Sequence, residues 1–299
     1  MFKQQSYSTH HCTMLLRFLP VVLLLLTTAC QADIMAPVRS ELVVEGWIEN
    51  GKPPIVVLTQ TIPVSEEEQT MGDLGKYLVR WAKVTVSDGE KEVVLTGRYD
   101  DRYFPPFLYT TGNLMGEVGK TYRLTVEYND FYATAETSIP AVPKVEKYTL
   151  TRNTDNDTLY HLKALLYDPP HERNYYQFFT QTNAENRHFV VAFMGTIDDA
   201  LINERTEVPI YRGHQLKEVN YTPYFYLNEP VGVKCVQMDE TAFRFWSAYM
   251  EAQSMNGNMF LTTFRNLPTN IQGGIGYWCG YGSTTKLLVP GSSPNTVIP

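Results

Sequence analysis

The sequence has few of the residues on which metal and nucleophile chemistry depend, and little positive charge. Its 299 residues contain 6 histidines and 4 cysteines, and 25 basic residues stand against 32 acidic ones. It has no Gly-x-Ser-x-Gly turn, His-Glu-x-x-His helix or phosphate-binding glycine loop. An acidic chain is also a poor partner for the phosphates of nucleic acid. The composition therefore predicts no metal, no cofactor and no nucleic-acid partner.

Long hydrophobic runs are lacking as well. The longest uninterrupted one, Phe18 to Leu26, has nine residues, whereas a membrane-spanning helix needs about 20. The run follows two basic residues and leads through Thr27-Thr28-Ala29 to Cys30, which is typical of a lipoprotein signal peptide. Residues 1–30 are predicted to be that signal, with Cys30 as the lipid-attachment site. The alternative is an ordinary signal peptide that leaves Cys30 as a spare thiol.

The predicted processing changes both the charge and the cysteine count. Without Lys3 and Arg17, 23 basic residues remain against 32 acidic ones, a net charge of −9. Cys12 leaves with the signal and Cys30 takes the lipid, so Cys235 and Cys279 remain. Because an even number of cysteines in an exported protein favours pairing, a Cys235–Cys279 disulfide is predicted.

The chain after a short polar tether at 31–40 is predicted to consist mainly of β-strands. Three hairpins follow from alternating apolar residues around the turn signals Asn50-Gly51, Asp88-Gly89 and Asn129-Asp130. The acidic segment 62–80 between the first two hairpins is predicted to be an exposed loop with a short helix. Six or seven short strands in about 100 residues predict an immunoglobulin-like β-sandwich over 41–140.

A second, larger β-rich domain is predicted over 144–290, followed by a loose tail at 291–299. The proline-containing segment Ile139 to Pro143 suits a linker, which places the boundary near residue 143. The one clear helix is predicted from Glu240 to Met255, with Asp239 as its cap and an apolar stripe for the core. In the segment Gly273 to Cys279, the glycines favour close backbone packing in a bent strand.

Aromatic residues beside prolines are the predicted binding surface. Tyr103 and Phe104 precede Pro105-Pro106, and Tyr224 and Tyr226 follow Pro223. Exposed rings of this kind bind a glycan, another small molecule or a protein partner. The alternative is that these rings fill the core, as alternating aromatics of β proteins do.

Several segments resemble one known family. These are Leu42–Ile48, Val84–Gly89, Gly119–Val126, Thr137–Pro140 and the closing segment Asn270–Gly276 followed by Gly280-Tyr281. They are similar to a Bacteroidota lipoprotein family catalogued as domain of unknown function 4249. The resemblance implies an outer-membrane location beside a TonB-dependent transporter, and it carries over no catalytic residue because the family has no established activity.

The sequence thus predicts a non-enzymatic, lipid-anchored outer-membrane protein that is an accessory or binding component in nutrient capture. Its ligand and the membrane face that it occupies are left open. One alternative is an envelope hydrolase whose acid and base come from Asp168, His171 or Glu172 in the second domain. Another is a structural spacer of the envelope without a concave site.

Overall fold

The computed structural model describes residues 40–61, 73–103, 105–182, 188–213, 221–256 and 267–291. The predicted signal peptide with Cys30, and the predicted binding residue Phe104, lie outside the described residues. Within the described ranges, no helix has both the length and the apolar character needed to cross a membrane.

Strands dominate the described chain, which confirms the predicted mainly β class. The strands are β1 (Leu42–Glu49), β2 (Ile55–Gln60), β3 (Lys83–Ser87), β4 (Glu92–Val94), β5 (Thr96–Tyr99), β6 (Phe107–Thr110), β7 (Thr121–Tyr128), β8 (Phe131–Ser138), β9 (Lys144–Arg152), β10 (Leu159–Tyr167), β11 (Tyr175–Thr182), β12 (Val190–Asp198), β13 (Arg205–Ile210), β14 (Phe225–Tyr226), β15 (Val231–Met238) and β16 (Ile275–Leu288). The α-helix is α1 (Glu240–Asn256), and short 3-10 helices span Asp73–Tyr77 and Asp199–Leu201. The first of these lies in the predicted loop 62–80.

An eight-stranded sheet forms the centre of the fold, in the order β12-β11-β15-β16-β1-β2-β6-β5. Its strands pair antiparallel except β1 and β16, which run parallel with Val43 opposite Ile275 and Glu49 opposite Tyr281. All three predicted hairpins form, as β1–β2, β3–β4 and β7–β8. The turn signals fixed these local pairings, whereas the parallel pair joins strands from opposite ends of the sequence.

Two smaller sheets pack on one face of the large sheet. The sheet β4-β3-β7-β8 encloses a core with β1 and β2, to which Val44, Leu58 and Leu124 belong. The sheet formed by β9, β10, β13 and β14 encloses a second core with β11 and β15. Trp278 of β16 enters the first core and Leu288 the second. These two residues share one face of β16 because they are an even number of positions apart.

The large sheet draws four strands from before residue 143 and four from after it. The two sets of four strands lie side by side and meet at the β16–β1 pair, which joins the halves of the chain on either side of residue 143 in one sheet. The described residues from Ser40 onward form one compact unit. Trp278 is fully buried in the core of the predicted sandwich, and its indole Nε1 donates a hydrogen bond of 2.9 Å to the carbonyl oxygen of Tyr122. A residue near the end of the sequence thus completes the core of the first half.

Helix α1 packs on the opposite face of the large sheet. Asp239 caps it as predicted, because its Oδ1 accepts a hydrogen bond of 2.8 Å from the backbone N–H of Ala242. Phe245 and Trp246 are buried against the sheet, and the Trp246 indole donates to the hydroxyl of Tyr281 at 2.8 Å. The helix covers only part of this face.

The predicted Cys235–Cys279 disulfide is not formed, and both residues are buried free thiols. Cys235 lies in the core between the large sheet and the β9–β10 sheet, whereas Cys279 lies in the cluster under α1. Because these cores are on opposite faces of the sheet, the two thiols point away from each other. Both faces of β15 are buried, so its sequence shows no alternation of polar and apolar residues. The face on which Cys235 lies could therefore not be predicted from the sequence.

The glycines of the closing segment allow other backbone to approach, as predicted. Gly276 has a φ of +109°, and a Cβ there would collide with the carbonyl oxygen of Val44 on β1. Gly280 similarly meets the backbone of Ser138. Gly276 is therefore required for the pairing of β1 with β16, and Gly280 is required for the close approach of the backbone at Ser138.

Candidate functional site

Alternating side chains of β1 divide between the two faces of the large sheet. Val44 and Ile48 point into the core under the sandwich, whereas Glu45, Trp47 and Glu49 point to the face that also carries α1. Tyr277 of β16 stands directly opposite Glu45 in the register. The part of this face beside the helix is therefore lined by polar and aromatic side chains.

A pocket of about 400 Å³ opens over these strands. Its walls are rich in aromatic rings, namely Trp47, Tyr103, His188, Phe189 and Tyr277. The ring centroids of Trp47 and Tyr103 lie 6.1 Å apart, and those of Tyr103 and His188 lie 6.0 Å apart in a stacked arrangement. The loop before β6 therefore contributes Tyr103 to the pocket wall, and the loop before β12 contributes His188 and Phe189. The volume and the mixed lining are typical of a site for a small molecule.

A buried charge network closes one end of the pocket. The two carboxylate oxygens of Glu49 accept from Lys234 Nζ at 2.7 Å and from Lys52 Nζ at 2.6 Å. The hydroxyl of Ser283, on the intervening strand β16, donates to the same carboxylate at 3.0 Å. Glu49 and Lys234 are almost fully buried, whereas the side chain of Lys52 is 48% exposed. The network therefore connects β1, β15 and β16 across the sheet.

This network fixes the ionisation of Glu49. Burial alone would raise the pKa of Glu49, but attraction to Lys234 and Lys52 and their hydrogen bonds outweigh it and lower the pKa to about 2. Burial lowers the pKa of Lys234, and the Glu49 carboxylate opposes that shift. The Lys234 ammonium also lies 4.8 Å from the ring centroid of Phe179 and 5.0 Å from that of Phe189. Carboxylate and rings together hold this ammonium in the sheet.

Glu45 has the opposite electrostatic environment. Burial raises its pKa to about 7. Its side chain forms no hydrogen bond or salt bridge with any described residue. Burial also raises the pKa of the adjacent Tyr277 well above its ordinary value, and the negative charge of Glu45 adds to that shift. Glu45, whose pKa lies near neutral pH, thus faces the pocket among aromatic rings.

The predicted binding aromatics are separated in the structure. Tyr103 lines the pocket and is half-buried. Tyr224 makes an edge-on contact with His161 at 4.6 Å between centroids, and Tyr226 is 44% exposed with the Arg212 guanidinium 5.4 Å from its ring centroid. These two tyrosines belong to the small sheet around β10 and β14, away from the pocket lining.

The residues of the hydrolase hypothesis lie outside the pocket lining. Asp168 is buried and accepts hydrogen bonds from the Tyr176 hydroxyl at 2.6 Å and from the Asn174 amide at 3.2 Å. His171 and Glu172 are exposed, and His171 has a backbone φ of 73°. Asp168 therefore acts as an internal hydrogen-bond acceptor, and none of the three lines the pocket.

The charged pocket residues were not among those selected from the sequence, although a signal for them exists. Glu45, Trp47 and Glu49 alternate with aliphatic residues on a strand whose other face is fully apolar, so the charges must share one face. Lys234 gives no such signal, because its strand is buried on both faces. No group of three or more His, Cys, Asp or Glu side chains in the described ranges is arranged to hold a metal ion.

The fold and the pocket together define a β-rich protein with a small-molecule-sized site on its central sheet. A family model described as "Domain of unknown function (DUF4249)" matches residues 29–287. The chain belongs to this family. No curated protein matches it.

Proposed function

We propose that this protein is a lipid-anchored, non-enzymatic component of the cell envelope that binds a small ligand and works with a TonB-dependent outer-membrane transporter in nutrient capture. The observation that carries the binding role is the aromatic pocket over β1 and β16. A structural spacer would need no such site. The apolar run that ends at Cys30, and the likeness to a Bacteroidota lipoprotein family, support the anchor and the outer-membrane location.

The arrangement of the pocket carboxylates favours binding over hydrolysis. Glu45 and Glu49 are four residues apart on one strand, so their Cα atoms are about 13 Å apart. Paired carboxyl groups of glycoside hydrolases lie about 5 to 9.5 Å apart. Glu49 is also held as an ion pair by two lysines, so it is not free to transfer a proton to a substrate. Glu45 alone is placed to interact with a ligand.

Labelling with an alkyne-bearing fatty acid tests the anchor. We expect the wild-type protein to take up the label and Cys30→Ala to lose it. Cys12→Ala is the matched control, because it removes the other cysteine of the predicted signal, and it should be labelled as strongly as the wild type. Equal labelling of Cys30→Ala would refute the anchor.

Affinity purification of the tagged, detergent-extracted protein from its native host tests the transporter role. We expect one TonB-dependent transporter to co-purify with the wild type and to be depleted with Cys30→Ala, because the variant is not held at the membrane. Recovery of the wild-type protein alone would contradict this role and would leave the pocket to be tested by itself.

A further inference from the structure

Glu45 is a carboxylate that is partly desolvated in the pocket and forms no ion pair with any residue that the structure describes. Its neighbours in the sheet are Val57 on β2 and Tyr277 on β16, and Trp47 follows on the same face. None of these side chains neutralises a carboxylate. A partly buried ionisable group that lacks a partner among the described residues destabilises the fold, and groups with such perturbed ionisation cluster at functional sites.

The other end of the pocket shows which partner suits this chemistry. There, the Lys234 ammonium is held by the Glu49 carboxylate and by the rings of Phe179 and Phe189. Glu45 stands among rings of the same kind. Aromatic faces attract an ammonium group, and more strongly where water is excluded.

We propose that the pocket binds a small organic cation, with the ammonium group of the ligand between the Glu45 carboxylate and the rings of Trp47 and Tyr277. This assignment rests on the proposed role of the pocket as a ligand site and adds the chemical class of the ligand. Primary amines and quaternary ammonium compounds both belong to this class.

The remaining charges of the pocket are compatible with a cation at Glu45. Lys234 and Lys52 both bond to Glu49, so their positive charge is partly neutralised at that end. Lys52 is also well exposed, and its ammonium is bonded to Glu49, whose Cα lies about 13 Å from that of Glu45. Solvent and salt therefore screen much of its repulsion, since the Debye length is about 8 Å at physiological ionic strength. Glu45 therefore dominates the field at its own end.

Calorimetric titration of the full-length protein in detergent tests the proposal with two pairs of probes. Choline is compared with its neutral isostere 3,3-dimethyl-1-butanol, and n-butylammonium is compared with 1-butanol. We expect at least one cation to bind about tenfold more tightly than its isostere, which corresponds to about 1.4 kcal/mol. If neither cation binds more tightly than its isostere, the proposal is overturned.

Two variants distinguish the contribution of the Glu45 carboxylate to cation affinity from that of the shape of the pocket. Glu45→Gln keeps the size of the side chain and should weaken cation binding about tenfold while leaving the isostere unaffected. Glu92→Gln makes the same change at an exposed position of β4 outside the pocket lining, so it should bind the cation within about twofold of wild type. Undiminished cation binding by a folded Glu45→Gln protein would refute the assignment.

The pH dependence of binding gives a readout that a purely structural role for Glu45 would not change. Cation affinity should rise as the pH increases through about 7, because Glu45 becomes ionised there. Among the described residues, the other titratable groups facing this region are Glu49, Lys52, Tyr103, His188, Lys234 and Tyr277 of the lining and Tyr249 of α1. The rise should be lost in Glu45→Gln, whereas any contribution from His188 would persist there.

The outcomes distinguish this inference from the proposed function. Tight binding of neutral compounds that does not depend on Glu45 would overturn the cation assignment and retain a ligand-binding pocket. Co-purification of a transporter and lipid labelling at Cys30 are measured independently of either result, so a failure of the accessory role is recognised separately.

Discussion

At the scale of single residues, Glu45 is a carboxyl group of the pocket whose ionisation destabilises the fold. A carboxyl group whose pKa rises from 4.5 to about 7 on folding binds more protons in the folded state than in the unfolded state between these values. Stability therefore falls as the pH rises through that window, and the full cost is present above 7. Natural proteins keep such residues where function requires them.

Glu45→Gln should therefore stabilise the protein at alkaline pH. Because part of the side chain still meets solvent, we expect a gain of about 1–3 kcal/mol above pH 7. The gain should disappear below the ordinary pKa of 4.5, where both forms of the residue are neutral. Urea denaturation of both proteins across this range measures the difference. A constant difference at all pH values would mean that ionisation of Glu45 is not its cause.

At the scale of strands, the ion pair of Glu49 and Lys234 connects β1 to β15 across β16. Glu49→Gln leaves the Lys234 ammonium buried without its counter-charge, and we expect a loss of about 3–5 kcal/mol. The double variant Glu49→Gln/Lys234→Met should recover most of that loss, because no buried charge then remains. Thermal denaturation of the three proteins measures this. Equal losses in the single and double variants would show that the charge is not the cause.

An exposed ion pair of the same type is the control for this prediction. Lys83 and Glu127 join β3 to β7 at 2.7 Å, and their side chains are 58% and 47% exposed. Lys83→Met should leave the unfolding temperature unchanged within error, since solvent already stabilises both charges.

The glycine requirement of the β1–β16 pair can be tested in the same way. Gly276→Ala places a Cβ against the Val44 carbonyl at a φ of +109°, and we expect a loss of at least about 3 kcal/mol. Gly112→Ala is the control, because a Cβ there meets nothing within 4 Å. Its stability should equal or slightly exceed that of the wild type. A neutral effect of Gly276→Ala in denaturant titrations would contradict the observed pairing.

Elements whose signals are local were predictable, and those that depend on distant partners were not. Asn50-Gly51 and Asn129-Asp130 specify hairpins by turn chemistry alone, and Asp239 marks the start of α1. The parallel pairing of β1 with β16 has no local signal. The incorrect disulfide has the same origin, because the number of cysteines says nothing about which face of β15 Cys235 occupies.

The candidate site was predictable only in part for a related reason. Tyr103 was predictable because aromatic rings beside prolines such as Pro105-Pro106 suit a binding surface. Glu45 and Lys234 became site residues only when β1, β15 and β16 were brought side by side. A pocket assembled from three strands that are distant in sequence cannot be read from any one of them.

At the scale of the whole molecule, the shared sheet makes the two halves of the chain mutually dependent. The four strands from after residue 143 and the four from before it are joined into one hydrogen-bonded sheet by the β16–β1 pair, and Trp278 fills the core of the first half. We therefore expect a single calorimetric transition whose enthalpy equals the van't Hoff value. Two separate transitions would instead favour independent domains with a boundary near 143.

Removal of the last strand is a direct test of this dependence. A chain that ends before Ile275 loses the hydrogen-bonding partner of β1 and the buried Trp278, so it should show no cooperative unfolding by circular dichroism. A chain that ends at Gly291 retains β16 and should unfold as the full-length protein does. Cooperative unfolding of the shorter chain would show that the first half is stable alone.

The β1–β16 pair also sets an order of events during biosynthesis. Ile275 follows Glu49 by 226 residues (275 minus 49), so β1 is made long before its parallel neighbour. At about 5–20 residues per second, translation takes roughly 10–45 seconds to close that gap. Throughout this interval the apolar stretch Leu42-Val43-Val44 has one unpaired edge, which invites aggregation. A nascent chain therefore keeps this edge open until β16 has been made, and its pocket lining stays incomplete until Tyr277 has emerged.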